Sequence, residues 1–440
     1  MQTLFFCARD IRDYLKAIID TSDLNNTPDF DPNFPALTDA PAIQNFLLDV
    51  MKIYDDYDQA INAPICGETD IDGLRLDFNF GLRLEVPRGN FHVTIGDADS
   101  GQIFFERDLS DVRLISVEKH FIRWQVEVSL DGREIFSHVL NLENQNVLVT
   151  FKRDAALGDM LAYLPSIEAF RRANGCDVKI FMPNFLRDFT AHLYPALKQV
   201  DAVTFDSYAT YYPVMCIGDY SVTPFDSRNE SMERASRKIF GRDVLNVKPT
   251  FKPTMPPVTN EPYVCIGVQA SGNRKGWLYP NGWDIVVDYL KRLGYRVFCI
   301  DKHAEEINDG LTIRKPAGAE DFTGNISILE RANMLYHAKF FIGLGSGLSW
   351  LADAVNCPVV MIGGFSKDWF EFYTPYRVAN RFVCNGCLND VRVHFILNAC
   401  PYHHDTPREL ECQKKIFPRQ VIGTIERLIV DRKLKPPNIL

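Results

Sequence analysis

No apolar stretch of the 440-residue chain reaches the roughly 20 residues that a membrane-spanning helix needs, which argues against such a helix. A secretory leader is not expected either, because the first ten residues hold one short apolar run with no basic stretch before it and Asp10 soon after. Positive charge is in deficit. The 48 Lys and Arg face 57 Asp and Glu for a formal net charge of -9, which argues against broad attraction to nucleic acid or to anionic lipid. Two nucleotide signatures are also missing. There is no Gly-rich loop ending in Gly-Lys-Ser/Thr and no Gly-x-Gly-x-x-Gly after a first strand, so P-loop hydrolysis and dinucleotide redox chemistry both lose ground. The expectation is a cytoplasmic protein in a reducing compartment, with no nucleic-acid partner and no membrane insertion.

Cysteine is present in an uneven pattern. Of 11 cysteines, Cys384, Cys387, Cys400 and Cys412 fall within 29 residues, a Cys-x-x-Cys pair followed by loops of 12 and 11 residues. Four thiolates so spaced can close a tetrahedron around zinc or iron. Two disulfides are the alternative, which belongs to oxidising compartments that nothing else in the chain suggests. Cys7, Cys66, Cys176, Cys216, Cys265, Cys299 and Cys357 are scattered and read as small core hydrophobes.

Length and a 46% hydrophobic content predict two large domains with small additions. Residues 1–68 carry helical patterns over 10–20 and 41–62 around an acidic, Pro- and Asn-rich stretch. Over 69–146, short alternating runs at 74–80, 82–86, 90–95, 102–105 and 123–129 predict a small antiparallel β domain, a barrel or sandwich. From 147 onward, continuous apolar strands alternate with helical stretches, the rhythm of a doubly wound parallel sheet. Strands at 147–151, 178–182 and 202–205 build one half (147–255), and strands at 263–268, 295–300, 340–343 and 358–362 build a second (256–383). Five prolines within 247–262 mark a linker between them. The cysteine segment (384–413) then reads as an appendage, followed by a helix and tail (414–440). The fold class is α/β, with two Rossmann-like halves facing a cleft.

Three loops could carry chemistry. After the strand at 147–151, Leu157-Gly158-Asp159 opens a helix at the strand's C-terminal end, where open α/β sheets bind ligands. Asp159 either faces the cleft as an acid/base group or caps its own helix, and Asp154 in the same loop is a second candidate base. After the strand at 263–268 comes a loop with Ser271, Arg274, Lys275 and Trp277, whose cations and small residues suit a diphosphate, or else form a solvated basic turn. After the strand at 340–343, Gly345-Ser346-Gly347-Leu348 leads into a helix whose N-terminal N–H groups could face phosphate, although glycine at such a turn also serves geometry alone.

Leu-Gly-Asp at a helix start, a lysine loop after the first strand of the second half, and Gly-Ser-Gly-Leu at a helix start together resemble ADP-heptose glycosyltransferases of GT-B fold. The β-rich region and the four late cysteines resemble one branch, the bacterial autotransporter heptosyltransferases, over about residues 74–417. The resemblance implies a GT-B architecture with a small barrel-like β domain before it, an acceptor-side half, a donor-binding half and a C-terminal four-cysteine metal finger. It implies an inverting protein O-heptosyltransferase that moves heptose from ADP-heptose to serine hydroxyls of an autotransporter adhesin passenger. Asp159 would be the general base, with Asp154 as its alternative. Ser271, Arg274, Lys275, Trp277, Gly345, Ser346, Gly347 and Leu348 would bind the donor. Cys384, Cys387, Cys400 and Cys412 would hold one structural iron (Fe3+) per subunit, zinc being the alternative, in a large homo-oligomer for which a dodecamer is one size. Two departures stand out: Gly345 replaces an aspartate common in related lipopolysaccharide heptosyltransferases, and Trp350 replaces histidine. A GT-B transferase with another nucleotide sugar and a non-catalytic metal-binding adaptor are the rival readings.

Overall fold

In the computed structural model, residues 1–6, 59, 61–151, 155–213, 223, 225–241, 248–308, 310–392 and 400–438 are described. The expected helices over 10–20 and 41–62 lie outside them, save for helical Gln59, Ile61 and Asn62, and so does Asp154. No helix among the described residues is long and apolar enough to cross a membrane.

The chain runs through β1 (Gln2–Phe6), β2 (Arg75–Asn79), β3 (Arg83–Val86), β4 (Phe91–Asp97), β5 (Ile103–Leu109), β6 (Val112–Ser116), β7 (Trp124–Leu130) and β8 (Arg133–Val139) before its first Rossmann-like strand, β9 (Asn146–Thr150). Four of these make an open antiparallel sheet in the order β5-β4-β7-β8. Its two central strands alternate, with Phe91, Val93, Ile95, Trp124, Val126 and Val128 buried, as expected of a sheet with one face on the core.

The remaining strands correct the expectation of a barrel. The first half continues with α1 (Leu157–Asn174), β10 (Asp177–Phe181), α2 (Asn184–Leu193), β11 (Lys198–Val200), β12 (Ala209–Tyr211) and α3 (Met232–Ile239). Its sheet has the order β1-β6-β3-β2-β12-β9-β10-β11, so three strands of the β-rich region, with β1 from the N-terminal segment, extend the sheet of the first half. The splice is the parallel pair β2 and β12, with Ala209 opposite Phe78 and Thr210 opposite Asn79. Buried polar groups fix it. The Asn79 amide donates to the Ser207 carbonyl at 2.5 Å and the Thr210 hydroxyl donates to Asn79 at 2.6 Å, while on the other side of β2 Arg83 of β3 pairs with Asp77 at 2.6 Å, all out of solvent. Residues 202–205 do not form the expected strand: Thr204 hydrogen-bonds to Asp206 two residues on, a local bond that competes with the ladder. The pairing strands flank that turn.

The second half holds β13 (Tyr263–Ile266), α4 (Gly282–Arg292), β14 (Arg296–Cys299), β15 (Glu305–Asn308), β16 (Leu311–Arg314), β17 (Glu320–Asp321), α5 (Ile328–His337), β18 (Phe341–Leu344), α6 (Gly347–Ala354), β19 (Val359–Ile362) and β20 (Arg377–Val378). β15 and β16 form a separate hairpin. The other strands lie in the order β17-β14-β13-β18-β19-β20, every pair parallel. Counted in order of appearance this is 3-2-1-4-5-6, the doubly wound order in which ligands bind where the winding reverses. That point lies between β13 and β18. The first half repeats the scheme, with the reversal between β9 and β12. Residues 248–262 join the two halves without helix or strand. After the cysteine segment, α7 (Glu411–Lys414) and α8 (Pro418–Asp431) follow, and α8 lays Val421, Ile425 and Leu428 onto the second half's core at helical spacing.

Candidate functional site

Helix α1 begins where β9 ends. Its N-cap is Ala156, which makes no side-chain capping bond, so Asp159 is not the cap but lies in the first turn beside the positive end of the helix dipole. Most of α1 from Gly158 to Phe170 is buried on all sides, and Gly175 at φ 62 with Arg171 and Arg172 in the last turn ends it. The rigid helix fixes where Asp159 points. Its carboxylate is half-buried and lines a cavity of about 760 Å³ between the two halves. Lost hydration raises its pKa above the ordinary carboxylate range, and the Lys275 ammonium on the opposite wall pulls it back down.

The second half meets the cavity at its winding reversal. The loop after β13 is held by Asp301, which accepts the Val268 N–H at 2.7 Å and the Gln269 N–H at 3.2 Å. Burial pushes the Asp301 carboxyl up to about 6, against the pull of these N–H groups. Arg331 clamps the neighbouring loop by donating to the carbonyls of Ile300, Asp301, Ile326 and Gly324. So supported, Ser271 and Lys275 line the cavity. Gly345, Ser346, Gly347 and Leu348 line it at the start of α6, whose N-cap Ser346 makes no side-chain capping bond.

Two glycines let these helix ends meet. A Cβ at Gly347 would lie 2.8 Å from Leu157 Cβ, and one at Gly158 would lie 3.1 Å from the Trp350 ring. The N-termini of α1 and α6, from opposite halves, therefore abut at the cavity. Trp350, in place of histidine, is buried here and packs edge-on against Phe372 with centroids 5.0 Å apart.

Two expected donor residues sit elsewhere. Trp277 is buried away from the cavity, where its indole N–H donates to the Ile416 carbonyl at 2.9 Å. Arg274 is 2% exposed and points toward the cysteines: its guanidinium stacks 4.7 Å from the Phe365 ring centroid and donates to Cys387 Sγ at 3.7 Å. Sequence reasoning also missed Glu371. Its carboxylate lines the cavity, held by Ser366 Oγ at 2.6 and 2.9 Å and Arg377 Nη1 at 2.9 Å. A Cβ at position 345 would fall 2.6 Å from Glu371 Oε1, which accounts for the glycine. No motif signals a partner 26 residues away.

The four clustered cysteines are free thiols, two of them buried. They are gathered in one place: burial pushes the Cys412 thiol up to about 12, and the nearby Cys387, Cys400 and Cys384 sulfurs add to this. Among the described residues, the trio whose ligand atoms all lie within 4.8 Å of one another is instead His404, Asp405 and Glu409, on the surface. Burial raises the Cys387 and Cys384 thiols as well, against the pull of Arg274 on Cys387 and of Lys367 on Cys384. Four thiols are the donor type a thiophilic cation takes, but no three of these sulfurs lie within 4.8 Å of one another. The segment is not an appendage. The Gly386 N–H donates to the Gly364 carbonyl at 2.7 Å, the Leu388 N–H to the Phe365 carbonyl at 3.1 Å, and both Phe365 and Leu388 line the cavity.

Comparison with known proteins fits this geometry. Residues 71–132 match the family described as "Glycosyltransferase TibC, N-terminal domain", and residues 228–393 match "Glycosyltransferase family 9 (heptosyltransferase)". The autotransporter heptosyltransferase BAHTCr of Citrobacter rodentium is 39% identical over 366 residues, 81% of this chain and 89% of that protein. TibC of enterotoxigenic Escherichia coli, solved as a dodecameric iron-containing heptosyltransferase in complex with ADP-D-beta-D-heptose, superposes with a TM-score of 0.79 at 36% identity, covering 84% of this chain and 100% of that one. BimC of Burkholderia thailandensis, described as an inactive autotransporter heptosyltransferase, is 31% identical over 370 residues, 81% of this chain and 86% of that protein.

Proposed function

The chain belongs to the autotransporter heptosyltransferases, glycosyltransferases by family, and from that premise we propose that it moves heptose from ADP-heptose to serine hydroxyls of an autotransporter adhesin passenger, with inversion at the anomeric carbon. One observation carries the reading: a carboxylate from one half and a lysine loop plus a helix N-terminus from the other line a single cavity. In the reaction the serine oxygen forms a bond to the anomeric carbon while the bond to ADP breaks. Asp159 takes the serine proton, and its raised pKa makes it a stronger base than an exposed carboxylate. Lys275, Ser346 and the N–H groups at the start of α6 meet the charge on the departing ADP. Ser271, Gly345, Gly347 and Leu348 complete the donor wall. Arg274 and Trp277 support the loop from behind.

Cys384, Cys387, Cys400 and Cys412 would hold one structural iron, as Fe3+, with zinc as the alternative occupant. Its chemistry would be that of a cross-link between chain segments, outside the transfer itself. By analogy with TibC, the active form would be a homo-oligomer, a dodecamer included, in the cytoplasm. The domain limits would be 69–146 for the β-rich part, 147–255 for the acceptor side, 256–383 for the donor side and 384–413 for the cysteine segment.

The inactive relative favours a second reading, a non-catalytic member of the same family. Purified protein incubated with ADP-heptose and an adhesin fragment decides between them: a heptose mass increment on serine is expected, and its absence with intact ADP binding supports the non-catalytic reading. Transfer that occurs only with another nucleotide sugar would move the donor assignment. Loss of transfer in Asp154→Ala but not in Asp159→Ala would move the base.

A further inference from the structure

The cysteine segment and the donor loop are joined at several points, and Arg274 reaches the thiols themselves with its side chain. Arg274 and Lys275 are consecutive in a single 3-10 turn, Asn273–Lys275, closed by the Lys275 N–H on the Gly272 carbonyl at 3.0 Å. Their side chains diverge. Lys275 goes to the cavity, and Arg274 goes to the thiols, yet both cations flank the same ring, at 6.0 and 4.7 Å from the Phe365 centroid. The backbone is fastened on the same side. Gln413, next to Cys412, donates its side-chain amide to the Arg274 carbonyl, and its own carbonyl accepts the Leu278 N–H at 3.3 Å. On the far side, a Cβ at Gly364 would lie 2.9 Å from Cys412 Cβ, so the Phe365 turn also rests on the cluster.

We infer that Arg274 is a positioning residue that ties the four-cysteine cluster to the donor loop, so that the state of the thiols sets the pose of Lys275 and with it the affinity for a nucleoside diphosphate. The inference rests on the reading of Lys275 as a donor-diphosphate group. Physically, sulfur and an aromatic face are among the anchors of this buried guanidinium. Losing the sulfur contact leaves this one-turn loop held by its backbone bonds and Gln413 but lets the Arg274–Lys275 turn shift against Phe365. Displacing the Lys275 ammonium weakens its charge-assisted bond to phosphate.

The test is ADP binding by calorimetry on the full-length protein, with metal content and the thiolate absorption spectrum recorded for each variant. Lys275→Met is expected to weaken ADP binding strongly. Arg274→Met, folded by circular dichroism, should weaken it about tenfold and perturb the thiolate spectrum. Arg274→Lys, which keeps the charge but not the planar fork, should lose about threefold. Cys387→Ser should weaken ADP binding like Arg274→Met, and the double variant should be no weaker than either single one, since both cut the same link. ADP affinity within about twofold of the parent in Arg274→Met, or single losses that multiply in the double variant, would overturn the coupling. If Arg274→Met fails to fold, unchanged ADP affinity in Arg274→Lys overturns it instead. Unchanged binding in Lys275→Met removes the donor-loop reading on which the inference stands, a failure distinct from loss of coupling alone.

Discussion

The two halves are wound alike but line their shared cavity differently. Among the described residues, the first half contributes the carboxylates of Asp159 and Asp188 with a few apolar and amide groups and no Lys or Arg, whereas the second contributes Lys275, Lys302 and Arg331 as well as the carboxylates of Asp301, Glu306 and Glu371, together with Gly345, Ser346 and Gly347. Carboxylates stand on both walls, but the Lys and Arg side chains stand on one, so that wall is the one suited to holding an anion. The shared strand order therefore says nothing about which half does what. The loops at the winding reversal decide it, and Lys275 reaches across to hold down the pKa of Asp159, so the two walls are electrostatically joined.

The largest effect that tests this division is Asp159→Ala. It should lower the transfer rate by about 10³-fold or more while ADP still binds, because general-base catalysis accounts for roughly that factor. Loss of ADP binding in that variant would break the division. Next comes Lys275→Met, expected to lower kcat/KM by about 10²-fold, with weaker ADP binding measured alongside. The pH profile joins the two. Asp159 must be ionised to act, and its pKa is raised, so kcat/KM should fall as pH drops through that value. Lys275 lowers this pKa, so the acid limb of Lys275→Met should lie at higher pH than that of the parent, and an unmoved limb would sever the proposed link. A smaller change is expected from Gly347→Ala, whose Cβ would meet Leu157 at 2.8 Å. Overpacking of this kind costs about 1–3 kcal/mol, read as a lower Tm.

Least in size is the stability of Asp159→Asn. A carboxyl whose pKa is higher folded than unfolded contributes stability below its unfolded pKa and loses it as pH rises through the folded value. Near neutrality the ionised form is a cost, so Asp159→Asn should match or exceed the parent in thermal melts, by under about 2 kcal/mol.

Much of this was legible in the sequence where one residue type does one job. Continuous apolar runs marked β9, β10, β13, β14, β18 and β19 but not the short β11, β12, β17 and β20, and the loops after 263–268 and 340–343 held Lys275 and Gly345-Ser346-Gly347, all of which line the cavity. What could not be read depends on distant contacts. The open edge of β2 pairs with β12 instead of curling into a barrel, a choice made by a strand some 130 residues later. Arg274 looked like a second phosphate ligand because cations adjacent in sequence carry no mark of which way each side chain turns. Glu371 was invisible, since only the space above Gly345 reveals it. The grouping of the cysteines is legible in their spacing, but the packing of their segment against the cavity is not, because spacing reports loop closure and not what the closed loop rests on.

The β2 and β12 splice has a further consequence, for how the chain is made. Phe78 leaves the ribosome long before Ala209, its partner, so β2 must wait with an unpaired edge while the intervening strands and helices are synthesised. Contacts of such sequence separation form late and slowly, which makes the nascent β-rich part prone to pair with a second chain in the interval. A fragment begun at residue 147 would carry the complementary defect permanently, with β12 bare along the side that β2 covers. Acceptor-side fragments should accordingly be cut to keep β2, β3 and β6, or they will aggregate for reasons unrelated to the active site.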